Sequence, residues 1–300
     1  MLAVIEFVDV LSTFDVGAVL HLIGAATAAD AVAPLSEQSM LRLGHAQHGI
    51  RHALVRDARH AVIGYAQLEL PGEASPDGTA ELFVAPSARR RGTGKSLLQA
   101  VRSQAGGTLH VWAHGDHAGA AALAANLNLT RSRVLLQLRR PLAAALAEPR
   151  WPAGVAIRTF IPGQDEQAWL AINAAAFAAH PEQGRWTLED VKQREASDWF
   201  DPAGFFLAER DGALIGFHWT KVHRGETPPI GEVYVVGVRP EDSGQGLGPA
   251  LTLAGLHYLR SIGLTEVLLY VDEDNVPAMK TYERLGFTRW ATDVLYASNV

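Results

Sequence analysis

The stretch EVYVVGVRPEDSGQGLGPALTL (residues 232–253) decides the fold. Glu232 opens a run of β-branched and aromatic residues that reads as a strand, and Pro240 ends it because proline cannot donate into a ladder. Ser243-Gly244-Gln245-Gly246-Leu247-Gly248-Pro249 follows, and an apolar helix opens from it. Glycines let a backbone approach an anion closely. The free N–H groups at the start of the helix point at that anion with the favourable end of the dipole. A strand, a glycine-rich turn and a helix in this order make a phosphate cradle.

Working outward, the pattern recurs in ELFVAPSARRRGTGKSLLQAV (81–101), which sets Gly92 on Gly246 and Gly94 on Gly248 and adds Arg90, Arg91 and Lys95. Upstream, ALVRDARHAVIGYAQL (53–68) lies over FFLAERDGALIGFHWT (205–220), with Gly64 on Gly216. Downstream, LHVWAHGDHAGAAALAANLNLT (109–130) lies over LLYVDEDNVPAMKTYERLGFT (268–288), with Leu129 on Phe287. Three ordered matches mean two copies of one fold. Pro141, Pro149 and Pro152 can continue neither a helix nor a central strand, so the first copy is expected over 1–140, a linker over 141–153 and the second copy over 154–300.

Each copy is expected to begin with a helical stretch, then a hairpin turning at Asp57–Arg59 or at Arg210-Asp211-Gly212. A third strand, the glycine loop with its helix, another strand, another helix and a closing strand complete it. The class is therefore α/β, with a mixed sheet flanked by helices in each half.

Composition narrows the function. The 300 residues are 48% hydrophobic and 19% charged, enough for a soluble core in two domains. With 26 Lys and Arg against 32 Asp and Glu, the net charge of −6 offers no bulk attraction to nucleic acid or an anionic membrane. The absence of cysteine excludes disulfides, thiolate nucleophiles and zinc sites with sulfur ligands. Glu6, Asp9 and Asp15 interrupt the apolar N-terminal stretch, no basic region precedes it, and no apolar run reaches the ~20 residues of a membrane span. A cytoplasmic monomer that binds neither nucleic acid nor membrane is expected.

His45, His48 and His52 have helical spacing, yet Gly49 interrupts them and no carboxylate completes a metal set, so no metal is expected. Two phosphate motifs fail. A Walker A loop ending at Gly94-Lys95-Ser96 would need glycine where Arg89 stands, and a dinucleotide fingerprint would need small residues at Pro249 or Leu251.

The remaining pattern, VRPEDSGQGLGPAL with VAPSARRRGTGKSL, resembles the acetyl-CoA loop of the GCN5-related N-acetyltransferases. NVPAMKTYERLGF (275–287) is similar to a second signature of that family, N-x-x-A-x-x-x-Y-x-x-x-G-F. Asn275 suits an N-cap, Pro277 the first helical turn, and Gly286 the end of the helix. The resemblance implies two tandem domains of this family, each a mixed, mostly antiparallel sheet, and acetyl-CoA as cosubstrate.

It implies contacts to acetyl-CoA from Val236, Gly237, Val238 and the loop Ser243, Gly244, Gln245, Gly246, Leu247, Gly248 and Pro249. Asn275, Val276, Pro277, Ala278, Met279 and Lys280 would add to them. In the first copy the matching positions are Leu82, Phe83 and Val84, with Arg90, Arg91, Gly92, Thr93, Gly94 and Lys95. Ser243 and Gln245 stand where the family commonly has glutamine and a cation, so binding in the second copy is expected to lean on backbone N–H groups.

By the same likeness, the bulged strand before the loop donates a backbone N–H from within Val236–Val238 to the thioester carbonyl, Glu232 is the base for the incoming amine, and Tyr282 protonates the CoA sulfur. Ala124 occupies the tyrosine position in the first copy. The second copy is therefore expected to catalyse, and the first to bind CoA without turnover.

The tandem arrangement and AAFAAHPEQGRWT (175–187) resemble members of the family that acetylate the cysteinyl amine of a cysteine–glucosamine–inositol conjugate. That likeness implies substrate contacts from Glu37, Glu182, Lys221, Glu232 and Tyr270. Carboxylates suit an ammonium and sugar hydroxyls, and Lys and Tyr suit hydroxyls. The alternatives are transfer to another small amine or a protein N-terminus, and a non-catalytic regulator that binds acyl-CoA.

Overall fold

The first repeat begins with β1 (Val4–Val8), α1 (Thr13–Asp30) and α2 (Glu37–Leu41). It continues through β2 (Ile50–Arg56), β3 (Val62–Glu69), β4 (Gly78–Val84), α3 (Thr93–Ala105), β5 (Leu109–Ala113), α4 (Ala118–Asn126) and β6 (Leu129–Pro141). The second begins with β7 (Ala156–Thr159), α5 (Glu166–Ala176) and α6 (Leu188–Glu195). β8 (Phe205–Arg210), β9 (Ala213–His223), β10 (Ile230–Val238), α7 (Leu247–Ser261), β11 (Glu266–Asp272), α8 (Val276–Arg284) and β12 (Thr288–Ser298) complete it. The computed structural model describes residues 4–72, 75–178 and 183–298.

Each repeat opens with a strand rather than with the expected helix. Among the described residues β1 pairs only with β2 and β7 only with β8, so both are short edge strands whose alternation is too brief to stand out in the sequence. The hairpins form where expected. Asp57 accepts from the N–H groups of Arg59 and Ala61, and Asp211 and Gly212 take φ of 51° and 76° in a two-residue turn that needs both positive.

The chain divides into two compact units that are not the two sequence repeats. The first unit comprises Met1–Leu136, Asp272–Asp274 and Ala291–Val300; the second comprises Gln137–Val271 and Asn275–Trp290. In the first, β1, β2, β3 and β4 are antiparallel, β4 and β5 parallel, and β12 then pairs antiparallel with β5 from Val294↔Ala113 to Ala297↔His110. In the second, β7 to β10 are antiparallel, β10 and β11 parallel, and the end of β6 lies beside β11. The closing strand of each repeat thus completes the sheet of the other.

Burial explains why the exchanged strand holds. Val294 is fully buried with Leu97, Val101 and Leu109 in the core beneath α3. A buried side chain of that size contributes ~1.5–3 kcal/mol. On β3, Ala66 faces this core and Tyr65 the opposite one under α1, as strand alternation requires. The second unit packs Trp169 of α5 edge-on against Phe205, Phe217 and Trp219, with ring centroids 5.4 to 5.7 Å apart.

Candidate active site

The sheet of the second unit opens in its middle. β10 and β11 pair from Gly231↔Val267 to Val233↔Leu269, and β10 then carries a bulge between Val233 and Val235. The bulge falls at Tyr234, just before the Val236–Val238 segment. Val236, Gly237 and Val238 pair on their other side with His218, Phe217 and Gly216 of β9. Alternate backbone groups beyond Val233 therefore face the opening, where a planar carbonyl or amide could add itself as a partial strand.

Register gathers polar side chains on one face beside this opening. Glu232 lies opposite Lys221 of β9 and Leu268 of β11, and alternation brings Tyr270 to the same face. Glu232 is buried, and its Oε2 lies 2.7 Å from His223 Nε2. Lys221 is buried too, with its ammonium 4.9 Å and 5.1 Å from the ring centroids of Trp199 and Tyr234. Arg194 stacks 4.0 Å over Trp186 and donates to the Tyr234 hydroxyl at 2.8 Å. Tyr270 is largely exposed, and its hydroxyl accepts from Gln137 Nε2 at 2.7 Å.

The glycine loop follows β10 and leads into α7. Gly244 and Gly246 have φ of 79° and 85°, and Gly246 caps α7 without any side-chain hydrogen bond, so Leu247 and Gly248 present the first N–H groups of the helix. Pro249 has no N–H to offer. A cation missed in the sequence stands beside the loop: Arg210, from the β8–β9 turn, donates to Asp242 Oδ1 at 2.8 Å and to Gln245 Oε1 at 3.1 Å.

At the other side, Asn275 caps α8 by accepting from the Ala278 N–H at 3.2 Å, and Gly286 ends the helix at φ 84°. Tyr282 faces inward at 8% exposure, edge-on to Phe287 at 5.8 Å. Burial pushes its phenol up to about 12, so it stays protonated near neutrality.

The first unit repeats the design with different contents. β4 and β5 pair from Gly78↔Leu109 to Glu81↔Trp112 and then separate. A cavity of about 740 Å³ fills the gap, lined by Leu82, Phe83, Val84, Arg90, Gly92 and Lys95 among others. Arg89 also lines it, but pairs in two-pronged fashion with Asp30 at 2.7 and 2.6 Å. Arg91 and Thr93 lie in the same loop, with Gly92 capping α3 at φ 86°.

Glu81, the counterpart of Glu232, is fully engaged: it accepts from the Ser36 N–H at 2.7 Å and the Ser36 hydroxyl at 2.6 Å, and lies 3.5 Å from His114 Nε2. Burial would push His114 down, but hydrogen bonds to Asp293 and Glu81 outweigh it and raise the imidazolium to about 10. Glu37 opens α2 in this unit. Glu182 lies outside the described residues. Among those described, no group of three or more His, Asp or Glu side chains could hold a metal ion; His52 is buried against Tyr65, 2.7 Å from its hydroxyl.

The acetyltransferase (GNAT) family model matches the chain twice, over residues 25–127 and 169–287. The chain belongs to the GNAT family. Its GNAT relatives include proteins named mycothiol acetyltransferase from Thermomonospora curvata, 56% identical over 97% of this chain and 96% of that one, and from Streptomyces avermitilis, 53% identical over 97% and 94%. Among solved structures, a tandem GNAT protein from the clavulanic acid biosynthesis pathway superposes with a TM-score of 0.77 at 24% identity, covering 98% of each chain. A GNAT from Sphaerobacter thermophilus gives 0.74 at 24% identity, covering 98% and 95%. At these identities the structures speak to the fold alone.

As a GNAT, the chain is an N-acetyltransferase that uses acetyl-CoA as cosubstrate. Both units offer what that molecule needs: a gap between parallel strands and a positive helix start under a glycine loop. Sequence reasoning missed Arg210 and His223. The nearest signal was the Arg210-Asp211-Gly212 turn itself, which sets Arg210 at the tip of a hairpin next to the loop.

Proposed function

We propose that the chain is a mycothiol acetyltransferase, which transfers the acetyl group of acetyl-CoA to the cysteinyl amine of desacetylmycothiol and releases mycothiol and CoA. The observation that carries this reading is the 56% identity over nearly the whole length to a protein named for that activity. The second unit does the chemistry. Glu232 takes a proton from the substrate ammonium, and the free amine attacks the thioester carbonyl in the opening between β10 and β11. A backbone N–H of the Val236–Val238 segment donates to the oxyanion as it forms. When the C–S bond breaks, Tyr282 gives its proton to the thiolate, and the amine nitrogen loses its second proton to solvent or to the emptied phenolate.

Lys221, Tyr270 and Glu232 would contact the sugar hydroxyls and the ammonium, with Glu37 and Glu182 as further substrate contacts. The loop Ser243–Pro249 and the start of α8, Asn275–Lys280, would hold the CoA. In the first unit, the cavity takes acetyl-CoA or CoA without turnover, because Ala124 replaces the acid and Glu81 is occupied by Ser36 and His114.

The test is incubation with acetyl-CoA and desacetylmycothiol beside a panel of other amines, with acetylated products identified by mass. Amide formation on the cysteinyl nitrogen is expected. Turnover of another amine only would keep the GNAT chemistry and discard the substrate, and CoA binding without transfer to any amine would make the protein a regulator.

A further inference from the structure

The base position of the second unit is not alone. His223 sits at the end of β9, two residues after Lys221, and its register partner Ile230 lies two before Glu232, so the imidazole and the carboxylate share one face of the sheet. Nε2 and Oε2 are 2.7 Å apart, the Glu232 side chain is 7% exposed and the His223 side chain 28%. A buried carboxylate thus has a partner whose ring reaches solvent. This face also carries Lys221 on β9, Tyr234 on β10 and Glu266 and Tyr270 on β11, with Arg194 of α6 bonded to the Tyr234 hydroxyl, Arg139 of β6 to Glu266 and Gln137 of β6 to the Tyr270 hydroxyl.

We infer that His223 is a positioning residue for Glu232: its Nε2–H donates to Oε2 and leaves Oε1 aimed at the incoming ammonium. The inference rests on the reading of Glu232 as base. The single covalent consequence is a proton transfer, from the ammonium nitrogen to Oε1, while the Nε2–H bond stays intact. The pair fixes the rotamer of a side chain that must meet the amine within hydrogen-bond reach.

The experiment compares H223L, H223Q and E232Q in the full chain, using acetyl-CoA and desacetylmycothiol. H223L is expected to lower kcat/KM for the amine by about 10- to 100-fold, the effect of losing a hydrogen bond to a charged group. The KM for acetyl-CoA should stay unchanged. H223Q, which keeps an N–H donor, should recover most of the lost rate. A purely structural histidine would leave H223Q as impaired as H223L or raise the KM for acetyl-CoA as well, and parental kinetics for H223L beside an inactive E232Q overturn the inference alone. An active E232Q removes the base reading and this inference with it. Should H223L fail to fold, H223A with added imidazole reads the same relationship: recovery of rate supports it and no recovery overturns it.

Discussion

The carboxylate of Asp293 lies 3.0 Å from His114 Nδ1, which places a charge from the last strand of the chain against the histidine that lines the cavity of the first unit. Asp293 also accepts from the Gly115 N–H at 3.0 Å, so β12 secures both the side chain and the backbone at the end of β5. The first unit is therefore complete only when β12 is in place. Removing Asp293 would leave the buried imidazolium with Glu81 as its one acidic partner among the described residues.

This arrangement gives stability a pH dependence with a definite sign. The folded pKa of His114, about 10, is raised above its ordinary 6.5. The stabilisation is therefore complete below about pH 6.5 and is lost as pH rises through 10. Thermal unfolding at pH 7 and pH 9.5 should show a larger fall in the parent than in H114Q. Equal falls would mean that the pair carries no such linkage.

Replacing Tyr282 by Phe removes the proton donor while keeping the ring against Phe287. Turnover should fall by about 10²- to 10⁴-fold, the usual contribution of a positioned acid, with acetyl-CoA affinity unchanged. Stopped-flow or steady-state kinetics with calorimetric binding would separate the two. Full turnover in Y282F would assign the acid elsewhere.

The two loop glycines should report on different sites. Gly246 and Gly92 both have positive φ and open space around a Cβ, so G246A and G92A act through strain of roughly 1–2 kcal/mol. G246A should raise the KM for acetyl-CoA. G92A should weaken CoA binding at the first unit, read by calorimetry, and leave kcat as it was; a loss of kcat in G92A would contradict the division of labour.

Gly255 is a packing requirement. A Cβ there would lie 2.1 Å from His218 Cε1, inside the buried contact in which His218 Nδ1 meets the Leu251 carbonyl at 2.8 Å. G255A should cost ~1–3 kcal/mol or more by overpacking. G24A, in α1 with nothing within 4 Å, should instead raise stability by roughly 0.5–1 kcal/mol. Chemical denaturation measures both, and a stable G255A would show that α7 can shift away from β9.

Much of this protein was open to reading along the chain because its signals are local. The repeat shows in matched glycines. The helix cap at Asn275 shows in three adjacent residues, and the cradle at Gly244–Gly248 in one loop. Glu232 and Tyr282 stand out as candidates through the family resemblance of the strand and the helix that carry them. The edge strands β1 and β7 were hidden because a few alternating residues at the start of a domain look like any loop.

The sequence by itself determined two copies of an α/β fold, their anion-binding loops and the family. Only the tertiary structure decided that β12 completes the first unit and β6 the second, that the bulge falls at Tyr234, and that His223, Arg210 and Asp293 stand beside Glu232, Gln245 and His114. The reason is physical. Loop and cap geometry depends on neighbours a few residues away, whereas strand partners and buried charge pairs are chosen by competition among distant segments for the same hydrogen bonds and the same apolar surface.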